Sequence, residues 1–86
     1  MDIKQLNYFM AVAQAGSFSK AAENLTVSQP TLSVAVKKLE EELGVRLFYS
    51  FNREQRLTDE GLRLMNGARR LMDVYQQTVE DVRVMD

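Results

Sequence analysis

The chain has 86 residues, 45% hydrophobic and 27% charged, with a formal net charge of −1, no Cys and no His. That length supports one small core without staples, and the missing residue types exclude disulfides, most zinc sites and Ser–His or Cys–His catalysis within it. The longest apolar run, Tyr8 to Ala13, is six residues against the roughly 20 that span a bilayer, so no membrane partner is expected.

The first residues, Met-Asp-Ile-Lys-Gln, are not a signal peptide, and a soluble protein of a reducing cytoplasm fits. Asp2, with Gln5 three residues on, forms a capping box that opens a first helix. Ile3, Leu6, Met10 and Ala13 keep helical spacing, with Phe9 and Val12 widening the stripe. Gly16 ends this helix as a C′ glycine, and Ser17 caps a short second helix, "FSKAAENL". Only "AGS" separates the two, which forces a sharp turn.

Ser28 is the N-cap of a third helix, with Pro30 in the first turn, where a missing N–H costs little. Its apolar face needs only Leu32, Val36, Leu39 and Leu43. Gly44 closes it, and Val45 can reach back to Leu39. From Arg46 the period changes. "RLFYSF" and "QRLT", separated by Asn52-Arg53-Glu54, read as a two-stranded hairpin.

Thr58-Asp59-Glu60 opens the last helix with a cap and two acids at its positive end. It contains no Pro and is expected to run to residue 86, about 42 Å at 1.5 Å per residue. Gly61 and Gly67 count as tolerated weaknesses. Met65, Ala68, Met72, Tyr75, Val79 and Val82 follow an alternating three-four spacing, and Leu64, Leu71 and Val74 add an adjoining stripe. One stripe can dock on the domain; the other should meet a second chain. Leu64, Met65, Ala68, Leu71, Met72, Tyr75, Val79 and Val82 are therefore the expected dimer interface, and no metal site is expected.

The predicted fold is mainly α: a winged helix-turn-helix at 1–58 (helix-turn-helix motif 18–37, wing about 46–58), then a long linker and dimerisation helix at 59–86. A recognition helix must enter a major groove about 12 Å wide, and bulky residues near its start would hold it off the base edges. Gln29, Pro30, Thr31, Ser33 and Val34 are small or moderate. Gln29 can pair with an adenine edge, Thr31 and Ser33 can reach bases or phosphates, and Pro30 and Val34 offer apolar surface to a thymine methyl. The acids Glu40, Glu41 and Glu42 fall where the helix would leave the groove. Charge is sorted despite the small total. Residues 1–58 hold seven Lys/Arg against six Asp/Glu, +1, and residues 59–86 hold four against six, −2.

The stretch "LNYFMAVAQAGSFSKAAENLTVSQPTLSVAVKKLEEELGVRLF", followed by Arg53 and "RLTDEG" at 56–61, resembles the N-terminal domain of LysR-type transcriptional regulators. The elements that carry the likeness are "GSF" at 16–18, "AA" at 21–22, "VSQPTLS" at 27–33, "LE.ELG" at 39–44, "LF" at 47–48 and "LT..G" at 57–61. The resemblance implies a homodimer, or a tetramer when full length, with long helices paired antiparallel on an interrupted palindrome beside a bacterial promoter. It also implies a C-terminal domain that binds a small-molecule effector, before which this chain stops, so a DNA-binding fragment is expected, cytoplasmic and nucleoid-associated. No cofactor is expected in this chain. The family often carries Arg where Val34 and Ser50 stand here, which removes two cations. Arg53 matches the family's wing arginine, suited to a narrow minor groove over A·T tracts.

The full set of expected DNA contacts is Ser17, Lys20, Ser28, Gln29, Pro30, Thr31, Ser33, Val34, Lys37, Lys38, Arg53 and Arg56. Simpler readings stand beside these: Ser17 and Ser28 as caps, Lys20, Lys37 and Lys38 as a solvated face, Arg56 as a hairpin surface residue. A helical protein-interaction module without nucleic-acid binding is the alternative function, favoured by the net charge and opposed by Arg53, Arg56 and the small-faced third helix. No nucleophile stands with a base, so no enzyme is expected.

Overall fold

In the computed structural model, which describes residues 1–84, the chain forms α1 (Ile3–Ala15), α2 (Phe18–Leu25), α3 (Gln29–Leu43), β1 (Phe48–Phe51), β2 (Glu54–Leu57) and α4 (Asp59–Arg83). The end of the expected last helix, residues 85–86, lies outside the described residues. The local signals act as read. Gln5 N–H donates to Asp2 Oδ1 at 2.7 Å and Asp2 N–H donates back to Gln5 Oε1 at 3.2 Å, a reciprocal cap. Gly16 and Gly44 end α1 and α3 in the left-handed region, at φ 71° each.

One helix end differs in kind. Thr26 closes α2 at φ 57°, a left-handed β-branched residue. This is an uncommon conformation for such a side chain. It is held because Thr26 N–H and Val27 N–H donate to the Glu23 and Ala22 carbonyls. The turn between α2 and α3 is thereby set by backbone bonding rather than by a glycine.

The core lies where the three helices converge on the start of β1. Phe9, Val12, Ala21, Leu32, Leu39 and Leu47 are fully buried. Phe48 enters from the hairpin and stacks against Phe9 at 5.4 Å and edge-on against Phe18 at 6.0 Å between centroids. Buried aromatic pairs of this geometry add about 0.5–1.5 kcal/mol beyond their area. Leu43, expected on the apolar face of α3, is 39% exposed instead. The helix has already passed the edge of the core by its last turn.

The hairpin is a two-residue connection with register Phe48↔Leu57, Tyr49↔Arg56, Ser50↔Gln55 and Phe51↔Glu54. Asn52 and Arg53 take φ 50° and 65°, the paired positive values of a type I′ turn. Gln55 N–H turns away from β1 and donates to Gly16 O at 2.9 Å, tying the wing to the α1–α2 corner.

One expectation for α4 is corrected. Gly61 is not a tolerated weakness, because a Cβ there would fall on the Leu47 carbonyl oxygen, far inside contact distance. The first turn of α4 lies against that backbone, held by Thr58 N–H on Leu47 O at 3.0 Å and Thr58 Oγ1 donating to Arg46 O at 2.6 Å. Met65 and Ala68, expected at a dimer interface, are 5% and 0% exposed within this chain. They complete the core that the three helices and β1 build. Beyond them α4 projects, and the molecule measures 52 × 27 × 21 Å.

Replacing Gly61 with Ala is expected to destabilise the fold by about 1–3 kcal/mol through overpacking against backbone. At Gly67 the only neighbour of an added Cβ is Arg70 Nη2 at 3.9 Å, so Gly67→Ala should stabilise by up to about 1 kcal/mol. Urea titrations of the two variants read both values, and equal responses would contradict the close approach at Gly61.

Candidate nucleic-acid interface

α3 is gripped along one side. Leu32, Val36 and Leu39 are 0–2% exposed, while Gln29, Pro30, Thr31, Val34, Lys37 and Lys38 face outward. Ser28 stands at the N-cap in extended backbone and accepts from Thr31 N–H at 3.1 Å. Its hydroxyl also shares a hydrogen with Thr31 Oγ1 at 2.7 Å. The Thr31 hydroxyl is therefore already engaged in the cap. Gln29 makes no such contact and occupies the first helical position, free of packing and capping duty.

Ser33 is less open than expected. It is half-buried and lines a groove with Phe18, Val36, Lys37, Val45 and Arg46. Val34, by contrast, is 51% exposed, an apolar spot at mid-helix. The outward surface of α3 thus runs from a polar start through a small apolar centre to two lysines.

The charge placement along α3 is one-sided. Its first turn carries no acid, whereas α4 opens on Asp59 and Glu60. Acids at a helix start are ordinarily stabilising by about 0.3–1 kcal/mol each. Their absence leaves the partial positive charge of the α3 N-terminus uncompensated and open to an outside anion. All three acids of α3 stand near its C-terminus. There Glu40 Oε2 accepts from Leu47 N–H at 2.7 Å and Glu42 pairs with the Met1 amino group. The Glu40 bond joins α3 to the base of the wing. No pattern in the sequence exposes it, because its partner is a backbone N–H seven residues away.

A second group of candidates gathers around a shallow polar cleft between the α1–α2 corner and the wing tip. Ser17, Ser19, Lys20, Arg53 and Gln55 line it, together with Glu23 and Glu54. Ser17 Oγ accepts from Lys20 N–H at 3.2 Å as the α2 N-cap and lies 3.2 Å from Ser19 Oγ. Ser19 and Gln55 were not expected here; only the Gly16–Gln55 bond brings their segments together. Arg56 lies apart, on the outer face of the hairpin, its guanidinium 4.8 Å from the Phe51 ring centroid.

Among the described residues the ion pairs are Met1–Glu42 and Arg46–Glu40. Lys20, Lys37, Lys38, Arg53 and Arg56 therefore keep their charge for the surroundings. The described residues also hold no cluster of metal-ligating side chains, and none of their helices is long and apolar enough to cross a membrane.

Three helices with the third exposed on one face, followed by a hairpin, make a winged helix-turn-helix domain. The family described as bacterial regulatory helix-turn-helix protein, lysR family, matches residues 3–62, and the chain belongs to that family. It is 46% identical over 78 residues to an HTH-type transcriptional regulator in the ibpB–leuC intergenic region of Azotobacter vinelandii, spanning 91% of this chain and 54% of that protein. It is 40% identical over 82 residues to the regulator CitR of Bacillus subtilis, spanning 95% of this chain and 28% of CitR. Its backbone matches the BenM DNA-binding domain, solved with catB site 1 DNA, at a TM-score of 0.92 and 37% identity, over 96% of this chain and 92% of that one. It also matches full-length OxyR of Pseudomonas aeruginosa at 0.88 and 41% identity, over 96% of this chain and 28% of that one.

A positive φ in a residue with a Cβ is strained, and at Arg53 the strain is stored in the turn. Arg53→Gly is expected to leave the domain equally stable or more stable by up to about 1 kcal/mol. Thermal unfolding checks this, and a clear loss of stability would show that Arg53 serves the fold.

Proposed function

We propose that this chain reads double-stranded promoter DNA for a bacterial transcription regulator and has no reaction of its own. α3 enters the major groove, and the wing arginine Arg53 reaches the minor groove. The observation that carries the reading is the one-sided grip on α3. A helix fully buried along one narrow stripe, Leu32, Val36 and Leu39, with small side chains and no acid through its first turns, fits a groove about 12 Å wide. Related domains solved on DNA support it. Net charge −1 does not weigh against it, since Lys20, Lys37, Lys38, Arg53 and Arg56 are exposed and form no ion pair among the described residues, and the acids of α3 lie at its far end.

Gln29 reads a base edge, Val34 and Pro30 meet thymine methyls, and Ser28 presents the helix terminus to a phosphate. Ser17, Lys20, Lys37, Lys38 and Arg56 hold the backbone; Thr31 and Ser33 support them from the cap and groove wall. Residues 1–58 carry the reading surface, and residues 59–86 pair two copies. The protruding part of α4 supports the pairing: Leu71, Val74, Tyr75 and Val82 are 47–74% exposed, with Leu64, Met72 and Val79 half-buried beside them. Beyond Ala68 its charges are also sorted, with Arg69 and Arg70 first, then Asp73, Glu80 and Asp81, and Arg83 at the end. Two such helices laid antiparallel bring opposite signs together, and laid parallel they bring like signs together. The chain spans about half or less of the relatives' lengths. By family likeness, an effector-binding domain and tetramer assembly belong to the whole regulator, at work on the nucleoid in the cytoplasm.

Binding to duplex DNA should weaken steeply with salt, and Lys37→Ala should reduce the slope of log K against log salt by about one unit. An affinity indifferent to salt would favour a protein-interaction module instead. On a selected binding site, Gln29→Ala should cost about 1–3 kcal/mol at one base pair and spare the others. Uniform weakening across sequences would reassign Gln29 to the backbone. Arg53→Ala should lose more affinity on A·T flanks than on G·C flanks. Equal losses would remove the wing from the minor groove.

A further inference from the structure

The outer face of the hairpin holds an arrangement of which the expected DNA contacts include Arg56 alone. Strand alternation and the register place Tyr49, Phe51, Glu54 and Arg56 together on that face, away from buried Phe48 and the Ser50–Gln55 bond. Arg56 has Tyr49 directly across and Phe51 on the diagonal. It also has a carboxylate, Glu54, two residues away on its own strand. Yet its guanidinium forms no ion pair among the described residues and lies instead 4.8 Å from the Phe51 ring centroid. Phe51 and Tyr49 are 50% and 46% exposed, so neither ring is committed to the core.

A guanidinium lying over a ring uses its π-face and leaves its in-plane N–H donors free. Those donors suit a forked anionic acceptor, and a phosphate of the DNA backbone is the acceptor the wing would meet. We propose that Phe51 is a positioning residue: its ring holds Arg56 with its N–H edge turned outward, ready for a backbone phosphate flanking the wing. The inference rests on the reading of this chain as a DNA-binding domain. Its content is physical pre-organisation. An arginine side chain loses rotamer freedom when it takes a phosphate, and a ring that has already ordered it removes part of that loss before binding. The same stack keeps Arg56 off Glu54, whose carboxylate would otherwise compete for it.

The test measures binding of the whole 86-residue chain to sonicated duplex DNA across a salt series, with thermal unfolding as a folding control. Arg56→Ala should lower the salt slope by about one unit. Phe51→Leu, which keeps an apolar side chain without a ring, should weaken binding about two- to fivefold. In the Arg56→Ala background Phe51→Leu should do nothing further, and Phe51→Tyr should bind as the parent does. Equal weakening by Phe51→Leu in both backgrounds overturns the proposal, because Phe51 then acts on its own. So does unchanged binding by Phe51→Leu while Arg56→Ala still lowers the slope, an outcome that leaves the DNA reading intact. If Arg56→Ala leaves the slope unchanged, the positioning role falls as well. Salt-independent binding by the parent chain would instead overturn the DNA reading beneath it.

Discussion

Burial of Leu32, Val36 and Leu39 against α1 and α2 holds α3 in place, and it does so through a narrow stripe. Each such side chain contributes roughly 1.5–3 kcal/mol when fully removed from water. Three of them suffice to anchor a helix while most of its circumference stays clear. A wider stripe would hold α3 more firmly and leave it too sunken to reach a duplex. The surrounding structure serves that compromise. The Ser28 cap fixes where α3 begins, the left-handed Thr26 sets how it leaves α2, and Glu40 ties its end to Leu47.

Electrostatics follow the same geometry. The α3 C-terminus carries three glutamates, which the helix dipole disfavours there. Two of them are given partners, the Leu47 amide and the Met1 amino group. The third, Glu41, remains exposed on the wall of the groove beside Lys37. The result is a helix positive at its leading end and negative at its trailing end, so a polyanion meeting it is drawn to one end only. A net charge near zero conceals this, because a sum over residues carries no direction.

Legibility in the sequence tracked the range of each interaction. As caps, Asp2, Gly16, Ser17, Ser28, Gly44 and Thr58 act within four residues of themselves, and all cap helices where the pattern placed them. The hairpin was legible from its aromatic run, and Arg53 was visible as its tip. What escaped depended on distant partners. Gly61 looks like a helix flaw until the Leu47 carbonyl is beside it. Met65 and Ala68 share their spacing with Tyr75 and Val82. Which of the four the domain itself would bury depends on where the core ends, and periodicity has no term for that. Ser19 and Gln55 became neighbours only through the Gly16–Gln55 bond, and the Arg56–Phe51 stack only through strand register.

The joint at Thr58 has one further consequence. Two hydrogen bonds and a glycine pressed on the Leu47 carbonyl leave no flexible residue between wing and α4. The rod and the reading head therefore turn as one piece. Under the proposed pairing of two copies through α4, this makes α4 the arm of a caliper: the separation of its two tips is set at the crossing of the arms, not at either tip. Regulation that alters how the arms cross can then change the gauge without touching a single residue that meets the duplex.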